Sequence, residues 1–521
     1  EYEDTGKALE KAQRIWETRT NRKLMSKDEK SLFDDKDSYE FYLRRFVNTH
    51  WKNAFLDEKR CIRELKESKL YKKEFALEIK NTFLDEYQTA KKLKIPKDYK
   101  SFDPTLMQRH FASKCLEKPY YGNFSGTGAG KTLSALISAR LLNSKMTLIV
   151  CPNGVVTQWG EVIKDAFTDY KIIEKENAFY TKRDNKKFQY LIINYDQFNQ
   201  TKTEERVKEL GGQKINFVIL DEIHFSKTTD YEHQSKRRKQ LDILLSFIRE
   251  INPKVKVIGL SATPVVNNLA EGRSLLELLS GQEFDELKIQ PTVRNAMRLR
   301  EQFVITSIRE QPKYEIPNTI EKTVTTKLPS DYQFRNLNSD KLAIEQYCTE
   351  KRLEKIIQII KKTKGKIVVY TEFVKGTLPG KPFIIDMLDT EITKAGFTCR
   401  RYTGDDHTGK NAFVKDKKIK VLLASKPIGT GVDDLQTVCH NLIFNNLPWT
   451  HALYQQILGR IVRTGQDKDR VDIHHIKASI GGYAYDEMKL NRLKFKRTLA
   501  DCAVDGLLPE KNLVSAAQAS R

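Results

Sequence analysis

Ser125-Gly126-Thr127-Gly128-Ala129-Gly130-Lys131-Thr132 carries the most specific chemistry in the sequence. Its glycines let backbone N–H groups turn toward phosphate oxygens, and the helical run Leu133 to Leu142 adds the positive end of a helix. The run is expected to cradle ATP from Gly126 to Thr132. Lys131 would reach the β and γ phosphates, and the Thr132 hydroxyl would serve Mg2+.

Partners for that cradle follow in order. Asp221-Glu222-Ile223-His224 succeeds the apolar run Phe217 to Leu220. A strand ending there projects both carboxylates into the crevice above a parallel sheet. Asp221 is expected to hold the metal, usually through water, and Glu222 to orient and deprotonate the attacking water. Ser261-Ala262-Thr263-Pro264 ends another apolar run, and its hydroxyls would report the nucleotide state. Arg460 and Arg463 are three residues apart, a spacing that places both on one helix face. Turned toward the triphosphate, they would neutralise charge on the transferring phosphoryl group. The catalytic set is therefore Lys131, Asp221, Glu222, Arg460 and Arg463.

The elements that must position these residues are legible as texture. Continuous apolar runs at Thr147–Val150, Tyr190–Ile193, Phe217–Leu220 and Val257–Leu260 alternate with helical stretches. The same texture returns at Ile367–Tyr370, Val421–Ala424 and Asn441–Phe444. Apolar strands separated by helices imply parallel sheets covered on both faces. The expected class is α/β, with two tandem parallel-sheet lobes, an N-terminal helical domain and a helical insertion. The boundaries read as a helical accessory domain over 1–100, the ATP-binding lobe over 101–285, a connector over 286–350, the second lobe over 351–480 and a basic helical segment over 481–521.

Composition narrows the partners. The 521 residues carry a formal net charge of +22, which attracts polyanions such as duplex phosphate. Basic residues cluster at Lys236 to Lys239, Lys361 to Lys366 and Lys415 to Lys420. There is no apolar run of about 18 residues, which argues against a membrane span. The seven cysteines are scattered without a metal-binding spacing, as in reduced intracellular proteins. The chain is expected to be soluble, cytoplasmic if bacterial and nuclear if eukaryotic. It opens at Glu1 with no secretory signal and no initiator Met, as a piece of a longer protein would. His474 and His475, adjacent on an apparent strand, would point to opposite faces and make a poor metal pair.

The order of these motifs resembles the superfamily-two helicase-like ATPases, with tandem RecA-like lobes, over about residues 100 to 480. Within them it is most similar to the Swi/Snf group. Leu148 to Pro152 with Gln158-Trp159, Ser261 to Pro264 with Asn267-Asn268-Leu269-Ala270-Glu271, and Gln456 to Gln466 carry that resemblance. It implies that Gln108, Asp433 and Gln456 join the nucleotide set, Gln108 by reading adenine. It also implies double-stranded DNA as partner, with Pro152, Gln158, Asn194, Thr371, Thr403, Lys426 and Thr430 as contacts. The departures are Asp-Glu-Ile-His itself, Gly429 to Asp434 in place of the group's commoner form, and a short gap between Pro264 and Ile367. They favour a compact motor, of bacterial type, over a chromatin remodeller. A restriction or phage-defence complex with a nuclease or methyltransferase partner follows by analogy. Two alternatives stay open: a strand-separating DNA or RNA helicase, and an ATP-gated DNA-binding switch that licenses a nuclease.

Overall fold

The computed structural model describes residues 86, 88–184, 186–200, 203–226, 234–310, 318–328, 340–429, 434–463, 465–480 and 485–505. The helical reading of 1–100 therefore falls almost wholly outside the described residues. The chain divides into two compact units, 1–312 with 498–521, and 313–497.

In the first unit the chain runs through α1 (Leu106–Glu117), β1 (Tyr120–Asn123), α2 (Lys131–Leu141), β2 (Met146–Cys151), α3 (Val156–Ala166), β3 (Lys171–Glu174), β4 (Gln189–Asn194), α4 (Thr203–Gly211), β5 (Phe217–Asp221), α5 (Lys236–Ile251), β6 (Lys256–Leu260), α6 (Leu269–Ser280), α7 (Val293–Thr306) and β7 (Ser307–Ile308). The seven strands are all parallel, in the order β3-β4-β2-β5-β6-β1-β7. Strands β2, β4 and β5 are buried along nearly their whole length, so both faces are covered. This is why they read as unbroken apolar runs rather than alternating ones.

The second unit contains β8 (Asn318–Leu328), α8 (Lys341–Lys362), β9 (Lys366–Tyr370), α9 (Ile384–Lys394), β10 (Cys399–Tyr402), α10 (Gly409–Lys415), β11 (Val421–Ala424), β12 (Cys439–Phe444), α11 (His451–Leu458), β13 (Arg470–Ile480) and most of α12 (Tyr485–Ala500). Its six strands are also all parallel, in the order β10-β11-β9-β12-β13-β8. Alternate residues feed two cores. Val368, Tyr370, Leu422, Leu442 and Phe444 pack on one face, and Ile367, Val369, Val421, Leu423 and Ile443 on the other. The two α/β sheets are the tandem RecA-like architecture that the sequence implied.

The stretch 286–350 differs from a free-standing connector. β7 completes the first sheet beside β1, and β8 forms the edge of the second beside β13. β8 is mostly exposed and rich in Thr and Lys, so no apolar run marks it. The described part of 481–521 is equally integrated. Leu493 lies in the core of the second unit, and Asp486 and Lys489 are buried there. The six described cysteines are buried and unbridged. No helix among the described residues is long and apolar enough to cross a membrane.

Candidate functional site

Strand order assembles the site in the first unit. β5, β6 and β1 are neighbours, so the turns at their carboxyl ends share one edge of the sheet. Those turns are Asp221-Glu222, Ser261 to Pro264, and the loop Ser125 to Gly130.

The loop is held from several sides. Ser125 is fully buried; its amide donates to Asn123 Oδ1 at 3.2 Å, and its Oγ accepts the Glu310 amide at 3.0 Å. A hydroxyl is therefore used where the general loop pattern has glycine. Gly130 has φ +80°, and a Cβ there would meet Gln108 Nε2 at 2.4 Å. Both the left-handed backbone and the close approach demand glycine. Gln108 donates from that Nε2 to Gly130 O at 3.1 Å, while its Oε1 accepts the Thr105 amide at 2.9 Å and caps α1. The residue expected to read adenine thus has both ends of its amide engaged on the loop and the cap. Lys131 Nζ donates to Ser125 O at 2.9 Å and Gly126 O at 3.0 Å. Burial, with help from the Arg309 charge, holds the ammonium below its ordinary pKa despite Glu222 and Asp221. A buried cation of this kind is matched by a phosphate group.

The acidic pair is equally constrained. Asp221 Oδ1 accepts the Glu222 amide at 2.9 Å, and Oδ2 accepts Trp159 Nε1 at 2.8 Å. Burial and the adjacent Glu222 charge push the Asp221 carboxyl up to about 7. Glu222 adopts φ +45°, a left-handed conformation that costs a non-glycine residue on the order of 1 kcal/mol or more. Burial alone would raise its pKa, but His224 and Lys131 bring it below the ordinary value. His224 Nδ1 lies 3.2 Å from Glu222 Oε2 and 2.9 Å from Ser261 Oγ, so it ties the end of β5 to the turn after β6.

Mg2+ requires oxygen donors, and Thr132 and Asp221 are the residues that would supply them. Thr263 Oγ1 is buried in the turn after β6 with no hydrogen bond to another described residue. The donor set and this orphaned oxygen fit a hard cation.

The turn after β6 is braced by Glu271, which is fully buried. Its Oε2 accepts the Val266 and Asn267 amides at 2.7 and 2.9 Å, and its Oε1 accepts Asn267 Nδ2 at 2.8 Å. The Asn-Asn-Leu-x-Glu run is thus a carboxylate clamp on the backbone that leaves Thr263-Pro264.

Sequence reading missed two braces, Arg309 and Glu310, directly after β7. Arg309 donates to Phe124 O and to Ala262 O, the latter at 2.9 Å, and so joins the entry of the loop to the turn after β6. The Glu310 carbonyl accepts the Gly126 amide at 2.7 Å. The only signal in the sequence was an Arg-Glu pair ending a short apolar run.

In the second unit α11 stops at Leu458 with Gly459 as its cap. Arg460 and Arg463 therefore stand in tight turns beyond the helix, not on one helix face. The turn bonds Arg460 N to Ile457 O and Arg463 N to Ile461 O replace the regular helical pattern there. Arg460 donates to Gly429 O at 2.7 Å. Gln456 lies on α11 near Gly429. Asp433 and Thr430 lie outside the described residues.

The expected strand-contacting residues separate into two kinds. Pro152, Gln158 and Lys426 are accessible, whereas Asn194 is buried, against the expectation, with its Nδ2 donating to Asn153 Oδ1 at 2.9 Å to link two neighbouring loops. Thr371 and Thr403 are buried, in departure from the expectation. Each closes a turn at the end of its strand, with Thr371 Oγ1 donating to Phe373 O and the Thr403 amide to Asp406 O. The basic run at Lys236 is also partly structural. Arg238 is buried and bonds Asp242 and the carbonyls of Ser226 and Ser274. Trp159 is buried and is no stacking platform for a base. His475 stacks flat on Phe444.

Two family models match the stretches that carry these residues. The family model described as "Type III restriction enzyme, res subunit" matches residues 120–266, and that for the helicase conserved C-terminal domain matches residues 351–465. A curated relative from Bacillus subtilis (strain 168), the uncharacterized ATP-dependent helicase YqhH, is 23% identical over 447 residues, covering 71% of this chain and 74% of its own. Among solved structures, the Sulfolobus solfataricus SWI2/SNF2 ATPase core in complex with dsDNA matches at 17% identity and a TM-score of 0.36, over 80% of this chain and 95% of its own. With the two domain models spanning about half the chain and the phosphate loop and acidic pair meeting on one sheet edge, the chain belongs to the superfamily-two helicase-like ATPases and is an ATP-hydrolysing enzyme.

Proposed function

We propose that the chain is a DNA-dependent motor of the Swi/Snf type, which hydrolyses ATP to move along double-stranded DNA without separating its strands. The observation that carries the reading is the convergence of Lys131, Asp221 and Glu222 at the carboxyl ends of adjacent strands, with Trp159 of the Gln-Trp motif bonded to Asp221. Lys131 binds the β and γ phosphates, and the Gly126 to Gly130 amides surround them. When bound, Mg2+ supplies charge neutralisation of the triphosphate; Thr132 and Asp221 are the residues that would hold it. Glu222, kept ionised by His224 and Lys131, orients a water and takes its proton. Arg460 and Arg463 act as the cations that stabilise the transferring phosphoryl group. Gln108, Gln456 and Asp433 complete the nucleotide set.

The net charge of +22 and the motif resemblance support duplex DNA as the track. Contacts by Pro152, Gln158, Lys426 and Thr430 would touch the backbone and ignore base identity. The restriction-subunit family model supports a role beside a nuclease or methyltransferase in a larger DNA-processing complex. The relative named as a helicase favours a second reading, strand separation.

The test is ATP turnover with duplexes of increasing length, alongside triplex displacement and forked-duplex unwinding. Turnover that rises with length, with displacement and no unwinding, is expected. Unwinding of the fork would favour the second reading, and a rate indifferent to length would indicate a switch rather than a motor.

A further inference from the structure

We propose that Trp159 is a positioning residue for the metal-binding carboxylate, and that with Tyr195 it links two surface loops directly to the nucleotide site. Trp159 is among the largest fully buried side chains of the protein. Its indole N–H donates to Asp221 Oδ2 at 2.8 Å, while the Glu222 amide holds Oδ1 at 2.9 Å. A carboxylate gripped at both oxygens cannot rotate, yet each oxygen keeps a lone pair for a further ligand. The Asp221 carbonyl is held as well, by the Tyr195 hydroxyl at 2.9 Å. Both donors come from outside the acidic motif. Trp159 lies in the first turns of α3, directly after the loop at Pro152, and Tyr195 follows β4 in the turn that begins at Asn194.

The sheet order explains the convergence. β4, β2 and β5 are neighbours, so the loops after β4 and β2 flank the end of β5. The two loops are themselves joined by Asn194 Nδ2 and Asn153 Oδ1 at 2.9 Å. Asn153, Gly154, Thr157 and Gln158 are exposed on the same segment whose next residue is the buried indole. Anything that seats on this loop pair and shifts the first turn of α3 therefore moves the hydrogen bond to Asp221. Taking that ligand to be a DNA strand rests on the function proposed above; the positioning of Asp221 does not.

The test uses the full chain. Trp159→Phe keeps the apolar bulk and removes the N–H. Binding of a non-hydrolysable fluorescent ATP analogue is titrated with Mg2+ for the wild type, Trp159→Phe and Tyr195→Phe. Loss of an outer-shell partner should raise the Mg2+ midpoint of Trp159→Phe about 10-fold or more, with binding in EDTA unchanged. Combining it with Asp221→Asn should add nothing, because both changes remove one interaction. An unchanged midpoint in a Trp159→Phe protein that melts like wild type overturns the proposal.

Should that variant fail to fold, the chain labelled with fluorotryptophan gives four 19F resonances, one for each tryptophan. One of them should move on Asp221→Asn; if none does, the proposal falls. Stimulation by duplex tests the link to the loops, and Trp159→Phe should lower the stimulated-to-basal ratio at unchanged DNA affinity. A wild-type ratio kept by Trp159→Phe overturns the link, whereas a wild-type protein that DNA does not stimulate overturns the proposed function instead.

Discussion

The Arg309 guanidinium meets the Asp505 carboxylate at 2.8 Å across 196 residues of sequence. The same guanidinium bonds the carbonyls of Phe124 and Ala262, so one planar fork ties the segment after α12 to the entry of the phosphate loop. Arg309→Ala should destabilise the first unit by on the order of 2 kcal/mol, since two carbonyls and a partly buried carboxylate lose their donor. Arg309→Lys should recover little, because an ammonium cannot reproduce the fork. Urea unfolding followed by tryptophan fluorescence measures both.

Glu222→Gln is isosteric and keeps the turn, but removes the base. ATP turnover should fall about 10²- to 10⁴-fold while nucleotide binding persists. Turnover at the wild-type rate with DNA present would exclude Glu222 as the base. Arg460→Ala should lower kcat by roughly 10³-fold or more with a smaller change in KM, as expected of a cation acting on the transition state. Single-turnover kinetics separate the two parameters.

A closed ion network sits inside the second unit. Arg352 and Glu345 are both fully buried and 3.1 Å apart; Asp486 lies 2.8 Å from Arg352, and Lys489 3.1 Å from Glu345. Glu345→Gln leaves two buried cations under-compensated and should cost about 3–5 kcal/mol. The wild-type network should also respond to acid. Burial alone would raise the Glu345 pKa, but Lys489 and Arg352 bring it below the ordinary value. A depressed carboxyl stabilises the fold above its unfolded pKa, so this contribution is lost as pH falls through the folded value. Thermal melts from neutral pH downward should show the loss in wild type and a flatter profile in Glu345→Gln.

Glu310 has the opposite sign. Burial beside the phosphate loop pushes its carboxyl up to about 7. Its ionisation opposes folding, so stability is highest below the ordinary carboxylate range and declines as pH rises through about 7. Glu310→Gln keeps the backbone bonds to Ser125 and Gly126 and removes the charge. Its melting temperature should exceed wild type at pH above that value and match it in acid; a constant difference across pH would exclude the mechanism.

The sequence alone determined seven of the nine interior strands and the phosphate loop, because their information is local. Strands buried on both faces must be apolar throughout, and a phosphate cradle needs glycines and Lys131 within a few residues. Edge strands escaped because water covers them: β8 and the Arg400-Arg401 pair of β10 show no apolar run. Gly459 could have warned that the helix before Arg460 would end, but a glycine inside a helical pattern is ambiguous.

Only the tertiary structure decided which residues brace the site. Trp159 and Asp221 are 62 positions apart, and the bond between them exists because β2 and β5 are neighbours in the sheet. Arg309 reaches Phe124 and Ala262 because β7 pairs with β1, and β1 with β6. Strand order follows from the summed packing of the whole sheet, so no local pattern in the chain encodes these contacts.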